Sequence, residues 1–227
     1  MDIHKPKAAH SLREFLVEMG TIICGILIAL ALEQAIVWMN WRHDVAETRQ
    51  AIRAELAHDL GVFHYRADES NCVSRRVADL HRWEDSWKRG APLKPVVPIG
   101  GPSFYSYYTD AWSVAETGQV AAHIPLDERI KYAQIYGQIR ALDVFAQREH
   151  GIWHELADYN DADQLDRHDL MRLRGLVAGL GRENRGVAYN LPLLDRQAAA
   201  LGLKPEKLAS IDPKLQAAFC GSFFSAP

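Results

Sequence analysis

Lysine and arginine are not in excess in this chain: 26 basic residues stand against 29 acidic ones, a net charge of -3 with a pI near 6.4. That balance excludes the broad cationic surface with which proteins hold a phosphate backbone, so nucleic acid is not expected as a partner. No stretch alternates apolar and polar residues as a half-buried strand would, and no segment repeats. A sheet or a solenoid therefore has no support. Catalytic signatures are missing too. There is no Gly-x-Ser-x-Gly, and Gly100-Gly101-Pro102 leads into aromatics instead of into a helix carrying Lys. No catalytic residue is assigned, and no cofactor is expected.

Cysteine is scarce, with three in 227 residues. Cys24 lies within an apolar run, where a small soft side chain packs well, and this leaves Cys72 and Cys220 as a candidate pair. A bridge between them would suit an oxidising compartment. Two buried thiols of a cytosolic domain are the alternative, because sequence does not supply the Cα separation that a disulfide needs.

Long apolar runs are also rare, and the single one present dominates the reading. It extends from Met19 to Leu32 without a charge, resumes after Glu33 and Gln34, and continues through Ala35-Ile-Val-Trp38-Met39 to Trp41. From Phe15 to Trp41 a helix would be roughly 40 Å long at about 1.5 Å per residue, enough to cross the hydrocarbon core of a bilayer. Trp38 and Trp41 suit an interfacial aromatic anchor. Two other readings exist. Ala29-Leu30-Ala31 resembles the cleavage site of a signal peptide, with Lys5, Lys7 and Arg13 as its leader, and a buried soluble helix is the third. The resumed apolar character after Glu33, and Glu14 and Glu18 in the leader, favour an uncleaved anchor. Basic residues flank the run almost evenly, so orientation rests on the short leader and the long C-terminal part. These place the N-terminus inside and the domain outside the cytoplasmic membrane.

Within that run Glu18, Thr21, Gly25, Ala29 and Glu33 fall in one band at about 100° per residue. Small residues four apart let a second helix approach closely, and Glu33 on the same face would be shielded from lipid by that neighbour. The expected partners are the lipid bilayer and, on this face, a membrane protein or a second copy of the chain. Chance placement, with Glu33 reaching for the headgroups, is the plain alternative.

Beyond Trp41, Val45, Ile52, Leu56, Leu60 and Phe63 recur at helical spacing, with Arg49, Arg53, Glu55 and Asp59 between them. No Gly or Pro separates this stretch from the anchor. A further stripe, Val73, Val77, Leu80, Trp83 and Trp87, ends at Arg89-Gly90-Ala91-Pro92. Residues 89–103 form a Pro- and Gly-rich loop, and Phe104 to Tyr108 are expected to plug it onto the core. Thr109 or Asp110 would cap a short helix to Glu116. Pro125 would open a long helix to about Tyr159, and Asp166 or Asp169 another that closes at Gly181. A separate helix is expected from Asn184 to Leu201, kinked or split by Pro192, and Ile211-Asp-Pro213 starts a last short one. The fold class is all-α, with an N-terminal transmembrane helix extending into a bundle of long helices. The organisation expected is a tail over 1–14, an anchor over 15–41 and a helical extramembrane domain over 42–227.

One pair of residues is suited to a metal. His150 and His154 sit at i and i+4, half of a zinc site, although the order His-Glu-x-x-His is absent because Glu155 follows the second His. A solvated helix face is the better account of the pair. The reading this leaves is a non-enzymatic interaction or accessory subunit, with a metal-dependent enzyme or ligand sensor built on the His pair as the alternative.

Leu12-Arg-Glu-Phe-Leu-Val-Glu18, Gly25-Ile-Leu-Ile-Ala-Leu30 and Trp41-Arg42 resemble the N-terminal anchor of uncharacterised bacterial single-pass membrane proteins. Asp110-Ala-Trp-Ser-Val-Ala-Glu-Thr-Gly118 and Tyr132-Ala-Gln-Ile-Tyr136 are similar to the same group. The resemblance implies a bacterial, membrane-anchored helical domain in the inner membrane, with the C-terminal domain periplasmic. It carries over no catalytic residue.

Overall fold

Between Leu12 and Asp68 there is no proline, and only three glycines interrupt a run of good helix formers. Nothing there stops a helix. The computed structural model describes residues 11–103, 106–208 and 213–224, and among them the chain is helical with no strand. Helix α1 spans Leu12–Asp68, α2 Ser70–Lys88, α3 Asp110–Thr117, α4 Leu126–Ala157, α5 Arg167–Ala200 and α6 Pro213–Phe219, with a 3-10 turn at Val120–His123. The chain divides into two compact units, 1–48 and 49–227.

In the first unit every described side chain before Trp41 is exposed except for the half-buried Gly20. The helix is long and apolar enough to cross a membrane, and none of its apolar window is buried by the chain itself. The Arg42 guanidinium lies 4.6 Å from the centre of the Trp38 ring. A cation over an indole face suits a headgroup-level position.

In the second unit α1 turns one stripe inward: Ile52, Leu56, Leu60 and Phe63 are all at most 1% exposed. Helix α4 buries Tyr132, Ile135, Tyr136, Ile139 and Leu142, then Trp153 and Leu156. Glycines let α4 and α5 approach closely. A Cβ on Gly186 would come within 2.8 Å of the Phe145 ring, and one on Gly179 within 2.9 Å of Ile152 Cδ1. Gly61 plays the same part in α1, where a Cβ would collide with the Glu206 carbonyl oxygen; the Glu206 N–H donates to the Ala57 carbonyl at 2.7 Å.

The α2 stripe of Cys72, Arg76 and Asp79 holds the C-terminal segment. Cys72 is disulfide-bonded to Cys220, with the Cα atoms 4.6 Å apart. Arg76 donates to the Phe219, Ala218 and Gly100 carbonyls and lies 4.5 and 4.4 Å from the Phe219 and Phe223 ring centres. Burial lowers its pKa to about 10, which leaves it charged at neutral pH. Asp79 accepts from the Phe223 N–H at 3.0 Å and the Ser222 hydroxyl at 2.8 Å. Burial pushes that carboxyl up, but bonds from Arg82, Ser222 and Phe223 outweigh it and hold it below the usual range. Phe223 is thereby seated in a core with Val73, Leu80, Trp83, Val177 and Leu180.

Three details differ from the sequence-based expectation. Helix α5 does not close at Gly181 and restart at Asn184. Gly181 does not have the positive φ seen at Gly90 and Gly202, so the helix runs through it and takes Pro192 inside. Its start follows the pattern, with Asp166 and Asp169 forming a reciprocal capping box at 2.8 and 3.0 Å. Helix α3 is not capped by Thr109 or Asp110. The Glu55 carboxylate of α1 accepts from the N–H groups of Asp110 and Ala111, both at 3.0 Å, so the cap is tertiary. Of the aromatic plug, Phe104 and Tyr105 lie outside the described residues, as do Ile211 and Asp212. Tyr107 stacks on Phe63 with ring centres 4.1 Å apart, whereas Tyr108 stays 46% exposed.

Candidate functional site

The band read from the N-terminal helix is displayed and not covered. Glu18, Thr21, Gly25, Ala29 and Glu33 are all exposed, and a Cβ added to Gly25 would meet nothing within 4 Å. The Thr21 hydroxyl donates to the Val17 carbonyl at 2.8 Å, so it is satisfied within its own helix. Of the aromatic pair, Trp38 is exposed and Trp41 half-buried.

His150 and His154 stand edge to face with their Nε2 atoms 2.9 Å apart, so one imidazole donates to the other. Both are exposed. Among the described residues no third Cys, His, Asp or Glu atom joins them; the one such triple, Asp166, His168 and Asp169, has its two carboxylates engaged as the α5 cap. Two imidazoles give a metal at most half of a tetrahedral shell.

The structure also assembles a polar seam between α1 and α4 that sequence reasoning missed. Three levels stack along it. At the first, Arg49 makes a two-pronged pair with Glu128 at 2.9 and 2.6 Å, and Tyr132 donates to the same carboxylate. At the last, Arg66 grips Glu149 at 2.8 and 2.6 Å, reaches Asn184 at 3.0 Å and contacts Ser70, all while buried. Asn184 returns bonds to the Ser70 carbonyl and the Ser74 hydroxyl, both at 3.0 Å, tying four helices together.

Among the described residues the middle level has acids and no cation bonded to them. Glu55 accepts from the Tyr136 hydroxyl at 2.6 Å. Asp59 is fully buried, and its Oδ1 accepts from the Tyr108 N–H at 3.0 Å. Its Oδ2 has no partner among the described residues. Burial raises the Asp59 pKa to about 7, with Glu55 and Asp143 adding to the rise and the Tyr108 bond opposing it. Arg53 does not balance these acids; it caps the end of α5 through the Leu201 and Gly202 carbonyls at 2.9 and 3.1 Å. A signal for this existed. At 100° per residue Asp59 falls only about 20° from Ile52 and about 40° from Phe63, at the border of the apolar stripe and not on the opposite face.

No family model, no curated protein and no solved structure matches the chain.

Proposed function

We propose that the protein is a non-enzymatic, membrane-anchored interaction or accessory subunit of the bacterial inner membrane. The N-terminal helix crosses the bilayer once and packs, through Glu18, Thr21, Gly25, Ala29 and Glu33, against a second copy or a partner membrane protein. The helical domain stands on the periplasmic side. One observation carries the reading: an apolar helix that its own chain leaves wholly uncovered, with an open notch at Gly25. In lipid, close backbone approach over such a notch is the main source of helix association. The Cys72–Cys220 disulfide supports an oxidising compartment for the domain.

Cysteine crosslinking in native membranes tests the packing face, in a Cys24→Ser background. Gly25→Cys and Ala29→Cys should trap a dimer or a partner. If they crosslink no more often than Ile26→Cys, which is 55% exposed on the lipid side of the same turn, the face is not an interface.

A further inference from the structure

The other surface feature of chemical interest is a cleft of about 570 Å³ bordered by Trp83, Trp87, Lys94, Tyr159, Asp161 and Asp163. Its size falls in the range of small-molecule sites, roughly 300–1,000 Å³. Both walls are held in place. The Trp83 indole N–H donates to the Leu93 carbonyl at 3.0 Å, fixing the Pro92–Pro95 loop against α2. The Asn160 side chain bonds both the N–H and the carbonyl of Ile99, at 2.7 and 3.2 Å, fixing the α4–α5 connection to the same loop. The cleft is therefore shaped before any ligand arrives.

Three aromatic rings pack together beside it. Trp83 stands 78° to Trp87 with centres 6.3 Å apart, and 88° to Tyr159 with centres 6.4 Å apart. Trp83 itself is 2% exposed, so the half-buried Trp87 and Tyr159 bring the accessible ring surface to this corner of the cleft, and ring faces carry the negative part of the quadrupole. The charges agree in sign. Two carboxylates, Asp161 and Asp163, line the cleft against the single ammonium of Lys94, and among the described residues neither carboxylate is held by another side chain. Trp87 belongs to the last turn of α2 and Tyr159 lies two residues past the end of α4. The carbonyl ends of two helices thus border the same space, and both favour positive charge.

We infer that this cleft binds a small organic cation, an ammonium carrying apolar substituents. The aromatic corner receives the substituents, and Asp161 and Asp163 face the charge. A neutral hydroxylated ligand such as a sugar would use the ring faces and donate hydroxyls to the carboxylates, but it would leave their excess negative charge unbalanced.

Choline is a probe of this chemistry, and 3,3-dimethylbutan-1-ol is its uncharged isostere. The full chain in nonionic detergent is titrated with each, and with glucose, at constant ionic strength, following tryptophan fluorescence and heat release. Choline should saturate and bind at least tenfold more tightly than the isostere. Trp87→Leu should abolish the choline signal, and the exposed double change Asp161→Asn/Asp163→Asn should weaken choline about tenfold while leaving the helical spectrum unchanged. Choline binding no tighter than the isostere, saturation by glucose in place of choline, or a double variant with undiminished choline affinity would each overturn the assignment.

Discussion

Replacing Asp59 with Asn removes a buried ionisable group while keeping the oxygen that accepts from Tyr108. In the unfolded chain Asp59 loses its proton near 3.8, whereas in the folded protein it keeps the proton to about 7. Between those values the native state binds more protons than the unfolded state, so native stability falls as pH rises from about 4 to about 7 and is level above that. The penalty is absent below the lower value and complete above the upper one. A rise of about three pH units, at 1.36 kcal/mol each, amounts to about 4 kcal/mol. The Asp59→Asn variant would carry no such slope. Its amide group has to occupy the place of the unpartnered Oδ2, and an unsatisfied donor there costs about 1–3 kcal/mol at every pH. The constant cost and the pH-dependent gain separate cleanly. Urea unfolding of the full chain and of Asp59→Asn in nonionic detergent, at intervals from pH 4 to pH 8, should give a stability difference that moves by about 4 kcal/mol in favour of the variant. Other buried acids titrate in both proteins and largely cancel. A difference that stays constant within about 0.5 kcal/mol across the range would show that Asp59 is ionised and solvated, contrary to its burial.

Cys72 and Cys220 close a loop with a sequence separation of 148 residues, and the chain-entropy relation assigns such a loop about 5 kcal/mol. Ser at both positions should lower stability by about 2–5 kcal/mol and raise protease cleavage near Gly221; unchanged stability in thermal melts, oxidised against reduced, would mean that Arg76 and Asp79 hold the segment without it. Arg66→Leu should destabilise by about 3–5 kcal/mol because Glu149 is left buried and uncompensated, while the double change Arg66→Leu/Glu149→Leu should recover most of that loss. Double-variant denaturation curves no better than the single one would place the stability in Asn184 and the serines instead.

The helical class of the chain was legible because the evidence for it is local. Apolar spacing marks α1, α2 and α4, a Pro125 start and an Asp166 cap mark two boundaries, and the structure puts them at Leu126 and Arg167. Boundaries that depend on tertiary contact were not legible. Gly181 looks like a stop in sequence, yet α5 runs on through it to Ala200, packed on α4 through Gly179 and Gly186. Thr109 looks like a cap, yet Glu55, more than fifty residues away, takes that role. A local rule states what a residue can do, and a distant partner decides whether it does it.

The seam shows the same limit for charge. Asp59 reads as a solvated residue between apolar ones, because charge ordinarily marks the wet face of a helix. Its place beside Ile52 on the helical wheel points the other way, but position alone cannot tell a buried acid with a partner from a misjudged stripe. The outcome depended on α4 supplying Glu149 opposite Arg66 and, among the described residues, no hydrogen-bonding partner for the second oxygen of Asp59. One buried charge is therefore neutralised by pairing, and the other by holding its proton. The second solution has a pH signature: the Asp59 carboxyl carries an uncompensated charge above about 7 and relaxes as it takes up its proton below that value. Amide exchange at residues 55–60 of α1, followed from pH 8 to pH 5, should show protection rising as the pH falls. Protection that stays constant or declines there would mean that Asp59 does not hold its proton in the folded protein.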